Sequence, residues 1–172
     1  MLDMGILVLR LVIGLYVAAH GAQKLFGWFD GPGLRATTGL MSDRMGFRPA
    51  LLWVTVLAGS ELIGGLLMAM GLLGPLGSIA VAGTMVGATV FGHWPNGPWN
   101  AKGGYELTVT NLAAAVAVAL VGSGRYSVDT WLGLVVPPAL SAVFAILVML
   151  GVVAAGLSRR STGAQREQAG AA

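Results

Sequence analysis

The sequence predicts an all-α integral membrane protein whose transmembrane helices form one bundle. Apolar residues make up 56% of the 172 residues and charged residues make up 10%, against about 25% charged residues in soluble domains. The stretch from residue 50 to residue 92 holds a single charge, Glu61. That stretch is about twice as long as a helix that crosses a hydrocarbon core about 30 Å thick. A water-soluble globule is therefore excluded, and the lipid bilayer is the expected surrounding.

The first predicted span, Gly5 to Phe29, is the least apolar because it contains Arg10, His20 and Lys24. A cleaved secretory signal is the alternative interpretation of this segment. Such signals carry basic residues at their amino end, where this chain has Asp3. We therefore expect a retained transmembrane helix.

The apolar stretch that follows must fold back on itself, and Gly71-Leu-Leu-Gly-Pro75 predicts where it does so. Proline cannot donate to the preceding turn, and glycine permits the chain to reverse. Helices are expected at 50–72 and 76–92. Small residues in these two helices are expected to let neighbouring helices approach closely: Gly64, Gly65, Gly71, Gly83 and Gly87.

Two further spans are predicted in the second half of the chain. The segments 107–124 and 130–158 contain no charged residue, and they are followed directly by Arg125 and Arg159. Pro137-Pro138 is expected to open the last helix, because proline is tolerated in a first turn. The predicted organisation is a four-helix membrane domain at 1–129, an additional transmembrane helix at 130–157 and a disordered cytoplasmic tail at 158–172.

The basic residues predict which side of the membrane each loop occupies. Five spans place the two termini on opposite sides, and cytoplasmic loops carry an excess of Lys and Arg. Arg125 stands alone on one side, which predicts an outside amino terminus and a cytoplasmic tail. The residues on the other side are Arg35, Arg44, Arg48, Lys102, Arg159, Arg160 and Arg166.

Composition also limits the chemistry. The chain has no cysteine, so it cannot build a disulfide framework, a thiol redox couple or an iron–sulfur cluster alone. Its sparse basic residues do not alternate with aromatic residues along a soluble face, so no nucleic acid partner is expected. If the protein serves redox chemistry, another molecule carries the electrons.

Ionisable side chains inside the predicted spans are expensive in a bilayer, and each needs a partner or a function. Counted from the cytoplasmic ends, Glu61 lies roughly 16 Å deep, His20 roughly 9 Å and Lys24 roughly 3 Å. We expect Glu61 to pair with Arg10 near the midplane, with His20 as the alternative partner. Lys24 is expected to reach back to the headgroups.

A segment rich in glycine and proline joins the third and fourth spans. It runs from Gly92 to Glu106, and ionisable residues stand near both its ends, at His93 and Glu106. Its two prolines and four glycines exclude a regular helix. We expect it to form a lid over one cytoplasm-facing cavity lined by His20, Glu61, His93 and Glu106. No metal site is predicted, because two histidines at different depths do not make a ligand set.

The order of short motifs along the chain resembles the bacterial DoxX family. The motifs are Leu9-Arg-Leu-Val-Ile-Gly14, His20-Gly-Ala-Gln-Lys-Leu-Phe-Gly27, Gly31-Pro-Gly33, Glu61 before Gly64-Gly65, His93-Trp-Pro-Asn-Gly97, Gly103-Gly-Tyr-Glu106 and Gly124-Arg-Tyr-Ser-Val-Asp129. The resemblance implies four transmembrane helices over about residues 7–129, so the fifth helix departs from the usual form. The residues that match the polar pattern of the family, and the candidate cavity or ligand-binding set, are Arg10, His20, Gln23, Lys24, Glu61, His93, Tyr105 and Glu106.

The resemblance implies a membrane subunit or partner of a redox-associated complex that is linked to a quinone. The implied location is the bacterial cytoplasmic membrane. The implied partners are a redox enzyme and a second copy of the chain, and no covalently bound cofactor is expected. No catalytic residue is assigned. The alternatives are an oxidoreductase in which His20 or Glu61 exchanges protons with bound quinone, a small-solute or lipid transporter or binding protein, and a structural scaffold.

Overall fold

The computed structural model describes residues 1–159, and this part of the chain is helical. The prediction of an all-α membrane bundle is confirmed. The tail from residue 160 onward, with Arg160 and Arg166, lies outside the described residues. The helices are α1 (Leu2–Phe26), α2 (Gly33–Asp43), α3 (Ala50–Met70), α4 (Leu76–Gly87), α5 (Glu106–Val121), α6 (Val128–Leu132) and α7 (Pro138–Leu157).

Four helical segments are long and apolar enough to cross a membrane. They are Leu2–Phe26, Ala50–Met70, Leu76–Asn96 and Pro138–Leu157. The predicted fourth span is the shorter apolar helix α5, which has 16 residues and is therefore about 24 Å long. The predicted break at Gly71–Pro75 and the opening of α7 by proline are confirmed. The short helices α2 and α6 were not predicted.

Glycines set the distance between the central helices. A Cβ on Gly14 would lie 2.6 Å from the Gly65 carbonyl oxygen, and a Cβ on Gly21 would lie 2.6 Å from that of Ala58. A Cβ on Gly64 would lie 2.9 Å from the Ala80 Cβ. Consequently α3 is pressed against α1 on one face and against α4 on the other, as the small residues in it predicted. Bulkier side chains at these positions would force the helices apart.

The carboxyl end of α4 departs from α-helical geometry. Residues Ala88–His93 form a π-helix, and Trp94–Asn96 and Asn100–Lys102 form short 3₁₀ turns. π-Helical insertions are rare and often mark functional sites, because the wider turn re-aims the side chains that follow. Here the wider turn carries Phe91, Gly92 and His93.

Contacts between loops group the helix ends into two sets. We call one set the basic end and the other the opposite end. At the opposite end, the Arg125 amide donates to Asp3 Oδ1 at 3.0 Å, and the Leu73 amide donates to Asp129 Oδ1 at 2.9 Å. At the basic end, Arg159 Nε donates to the Met45 carbonyl at 2.8 Å. The basic end therefore carries the α1–α3 and α4–α5 connections and the end of α7. Its described basic residues are Arg35, Arg44, Arg48, Lys102 and Arg159.

Candidate functional site: an apolar cavity beside a buried ion pair

A cavity of about 550 Å³ lies between α3, α4 and α7 and extends to α2. Its volume is within the range of about 300–1,000 Å³ that is typical of small-molecule sites. α4 forms the floor with Ala80, Gly83, Gly87 and Phe91, while α3 and α7 form the walls. Most of the lining is apolar. The polar side chains in the lining include Lys24, Trp53, Thr84 and His93.

Two of these polar groups lie towards the basic end of the cavity. Trp53 is on the first turn of α3, and its indole Nε1 is buried without a hydrogen-bond partner in the described part of the chain. A buried donor without an acceptor costs about 1–3 kcal/mol, so this nitrogen calls for an acceptor from elsewhere. The second group is His93, whose Nδ1 lies 2.8 Å from the Gly103 carbonyl oxygen. If Nδ1 carries the proton and donates to that oxygen, Nε2 is left as an acceptor.

Lys24 and Glu61 form a buried ion pair at the inner part of the cavity. Lys24 Nζ lies 2.5 Å from both carboxylate oxygens of Glu61. The side chain of Lys24 is 25% exposed and that of Glu61 is 2% exposed. The expected Arg10–Glu61 pair is therefore wrong, and so is the expectation that Lys24 reaches back to the headgroups. The flexible stem of Lys24 extends inward along the bundle because a buried carboxylate lies there.

Arg10 instead belongs to a separate polar network at the opposite end. Its guanidinium donates to the carbonyl oxygens of Ser123 and Tyr126, the latter at 2.8 Å. At the same end, the Asp129 carboxylate accepts the amides of Leu73 and Gly74. These contacts tie α1 to the α3–α4 turn and to the segment before α6. Arg10 is thus remote in the fold from the α3–α4–α7 cavity.

The remaining candidates on α1 point away from the cavity. His20 Nδ1 lies 3.1 Å from the Tyr16 carbonyl oxygen, and the two rings are 4.7 Å apart on the outer face of α1. Gln23 Nε2 donates to the Phe29 carbonyl at 3.2 Å and holds the loop after α1. Neither side chain lines the cavity. The prediction that His20 shares one cavity with His93 is therefore wrong.

The segment from Trp94 to Glu106 is a compact loop and not a lid. The rings of Tyr105 and Trp94 are stacked with centroids 5.1 Å apart, and Glu106 Oε2 accepts the Asn100 amide at 3.0 Å. Of the four side chains expected to converge, only His93 lines the cavity. Glu61 does not line it, but its ion-pair partner Lys24 does. Glu106 is exposed. The lid interpretation is wrong because the loop is folded on its own backbone.

Arg159 lies at the basic end of the bundle, over two aromatic side chains of the cavity lining. The Arg159 guanidinium lies over the rings of Phe47 and Phe91, 5.4 and 5.3 Å from their centroids. Its Nε donates to the Met45 carbonyl. Arg159 was expected in a disordered tail; its side chain is instead ordered by two cation–π contacts. It fastens the end of α7 to the connection before α3, and we call this group the Arg159 clasp.

Sequence reasoning did not assign several residues of the site. In the sequence, Trp53 stands near the end of a predicted span, a position typical of an interfacial anchor. Phe47, Phe91 and the α7 wall carry no polar signal within an apolar sequence. The high glycine content of α4 was a feature that could have indicated a cavity, but it predicted close packing of helices instead. Gly83 does pack closely against Val148, but a Cβ on Gly87 would meet only the Phe91 ring at 3.9 Å.

Fold and site together define a multi-pass α-helical membrane protein with an apolar cavity and a few placed polar groups. The model of the DoxX family matches residues 5–94, just over half of the chain. The chain belongs to the DoxX family. The match covers α1 to α4 and includes Lys24, Trp53, Glu61 and His93, whereas α5, α6 and α7 lie beyond it. No curated protein and no solved structure matched the chain.

Proposed function

We propose that this DoxX-family protein is a quinone-binding subunit of a redox-associated complex in the bacterial cytoplasmic membrane. The observation that carries the proposal is the cavity between α3, α4 and α7, with the unpartnered Trp53 indole in its lining. Apolar pockets with a few convergent polar groups are the usual form of a small-molecule site. The cavity lies in the span of the helices, where a lipid-soluble ligand is available from the bilayer.

The polar groups at the basic end match both redox forms of a quinone. In this proposal the Trp53 ring turns on binding so that its buried N–H donates to a quinone carbonyl, and His93 Nε2 accepts from a quinol hydroxyl when Nδ1 donates to Gly103. An amphipathic ligand also orients its polar head towards the interface and its tail towards the midplane. We therefore assign the head to the Trp53–His93 end.

The role in a complex follows from what this chain lacks. It has no cysteine, so thiol or iron–sulfur chemistry has to come from a partner enzyme. In this proposal the chain holds the quinone in the membrane, and the partner delivers the electrons. Transport of a lipid or small solute through the same cavity is the competing function.

Replacing Trp53 by Phe is expected to weaken binding of a short-tailed benzoquinone by about tenfold, the equivalent of one hydrogen bond worth about 1.4 kcal/mol. The ring is kept, so packing on α3 is preserved. Equilibrium binding to the full-length protein in phosphatidylcholine nanodiscs measures the effect.

The matched control is His20→Ala, a change on the outer face of α1. It is expected to leave quinone affinity within about twofold, since His20 does not line the cavity. Wild-type protein that binds no quinone would overturn the proposal. Passage of a solute across liposomes by the isolated chain would favour transport instead.

The orientation in the membrane is a second expected result. Reporter fusions after Asp43 and after Lys102 should be cytoplasmic, and a fusion after Arg125 should be periplasmic, because the basic residues concentrate at one end. A periplasmic signal from the Lys102 fusion would contradict the assignment. The amino terminus would then be inside and the basic end outside.

A further inference from the structure

The cavity is long as well as apolar, and its length decides what it can hold. Its floor follows α4 and the π-helix after it from Ala80 to Phe91, a distance of about 16 Å along the helix axis, and it narrows where Val148 packs against Gly83. The α7 wall follows the same direction with one face of the helix. A compact head at the Trp53–His93 end leaves the inner part of this slot unfilled. The residues of that wall are Phe144, Leu147, Val148, Gly151, Val152 and Ala155.

Two glycines, which have no side chain, leave space in the middle of the slot. Gly87 on α4 and Gly151 on α7 both line it. A Cβ on Gly151 would have no atom within 4 Å, and one on Gly87 would only touch Phe91. Gly151 is itself exposed, so this gap is a groove that opens to the lipid. The gap between these two glycines is therefore space that a chain-like group can occupy.

The slot has aromatic side chains at its basic end and exposed residues along its side. Phe47, Phe91 and the Arg159 clasp lie at the basic end. In contrast, two lining residues on opposite walls remain about half exposed: Val56 on α3 is 49% exposed and Leu147 on α7 is 58% exposed. α7 packs chiefly on α4 and contributes no buried residue to the core. A ligand therefore reaches the slot from the lipid, between α3 and α7.

We infer that the ligand carries a long apolar tail, that it enters laterally between α3 and α7, and that its tail lies between Gly87 and Gly151. This inference rests on the proposed function, because it takes the head group from there. It makes α7, which lies beyond the family match, the wall that decides which tails fit. The tail gains little transfer free energy on leaving the bilayer, since lipid is as apolar as the slot. Selection is therefore steric.

Gly151→Leu in the full-length protein tests the inference. Filling the gap is expected to weaken binding of a benzoquinone with a long isoprenoid tail by about tenfold or more, as overpacking of a filled site does. Binding of the same benzoquinone without a tail should stay within about twofold. Both probes are titrated in phosphatidylcholine nanodiscs, so that lipid always competes. The matched control is Gly59→Leu on α3, where a Cβ also meets open space but the residue does not line the cavity.

The outcomes separate the two proposals. If wild-type protein binds neither probe, the quinone-binding function itself fails. If it binds both probes, and Gly151→Leu weakens both equally or neither, the function stands and the assignment of the tail to the α4–α7 slot is overturned. A photoreactive group at the end of the tail gives an independent readout, with crosslinks expected on Phe144 to Gly151. Crosslinks confined to α1 or α5 would also overturn the inference.

Discussion

Replacing Lys24 by Met is expected to lower the free energy of unfolding of the solubilised protein by about 3–5 kcal/mol, the cost of leaving one member of a buried ion pair alone. Glu61 is 2% exposed, and both its carboxylate oxygens bind Lys24 Nζ at 2.5 Å. Glu61→Gln should cost less. The remaining ammonium is 25% exposed, and its flexible stem can move towards the helix end.

Equilibrium unfolding in mixed micelles measures both variants and the double variant Lys24→Met with Glu61→Gln. The double variant should be more stable than the sum of the two losses implies, since no charge is then left unpaired. Lys102→Met, in an exposed loop at the same end, is the matched control and should change stability by no more than about 0.5 kcal/mol. Additive losses would show that the two side chains do not interact.

Arg10→Met is expected to lower the free energy of unfolding by about 1–3 kcal/mol for each of the two carbonyl oxygens that loses its donor. Arg10 is 1% exposed and donates to two carbonyls that lie between α5 and α6. Without it, the carbonyl oxygens of Ser123 and Tyr126 lose their charged donor. Arg10→Lys should recover only part of the loss, since an ammonium cannot reproduce the fork of a guanidinium.

The control for this second result is Arg125→Gln. Arg125 is at the same end of the bundle but exposed, with its guanidinium 5.6 Å from the ring centroid of Tyr126. Its loss should cost about 1 kcal/mol at most. Asp129→Ala combined with Arg10→Met should be non-additive, because Arg10 packs against Gly71, whose carbonyl accepts the Asp129 amide. A stability of Arg10→Met equal to that of the control would contradict a structural role.

Arg10, Lys24 and Glu61 show how well the depth of a residue in the membrane, counted along its helix, predicts its partner. Sequence identified Arg10, Lys24 and Glu61 as groups that need partners, and each has one. The predicted pairing was wrong because a depth counted from the helix ends assumes that all helices start at the same level. It also ignores the length of each side chain. The packing of Gly21 against Ala58 brings Lys24 within one side-chain length of Glu61. The partners of Arg10 are the backbone carbonyls of Ser123 and Tyr126 after the fourth span, and a backbone carbonyl leaves no signal in the sequence.

The amino-acid sequence by itself determined the membrane class, the family, the fold-back at Gly71–Pro75 and the helix opened at Pro138. These features depend on chain length, hydropathy and backbone chemistry, which are local. Only the tertiary structure decided which face of α3 meets α4, and hence where the cavity lies and that Trp53 lines it. In a membrane the lipid and the bundle interior are equally apolar, so an apolar helix such as α3 carries no periodic signal that tells its buried face from its lipid face.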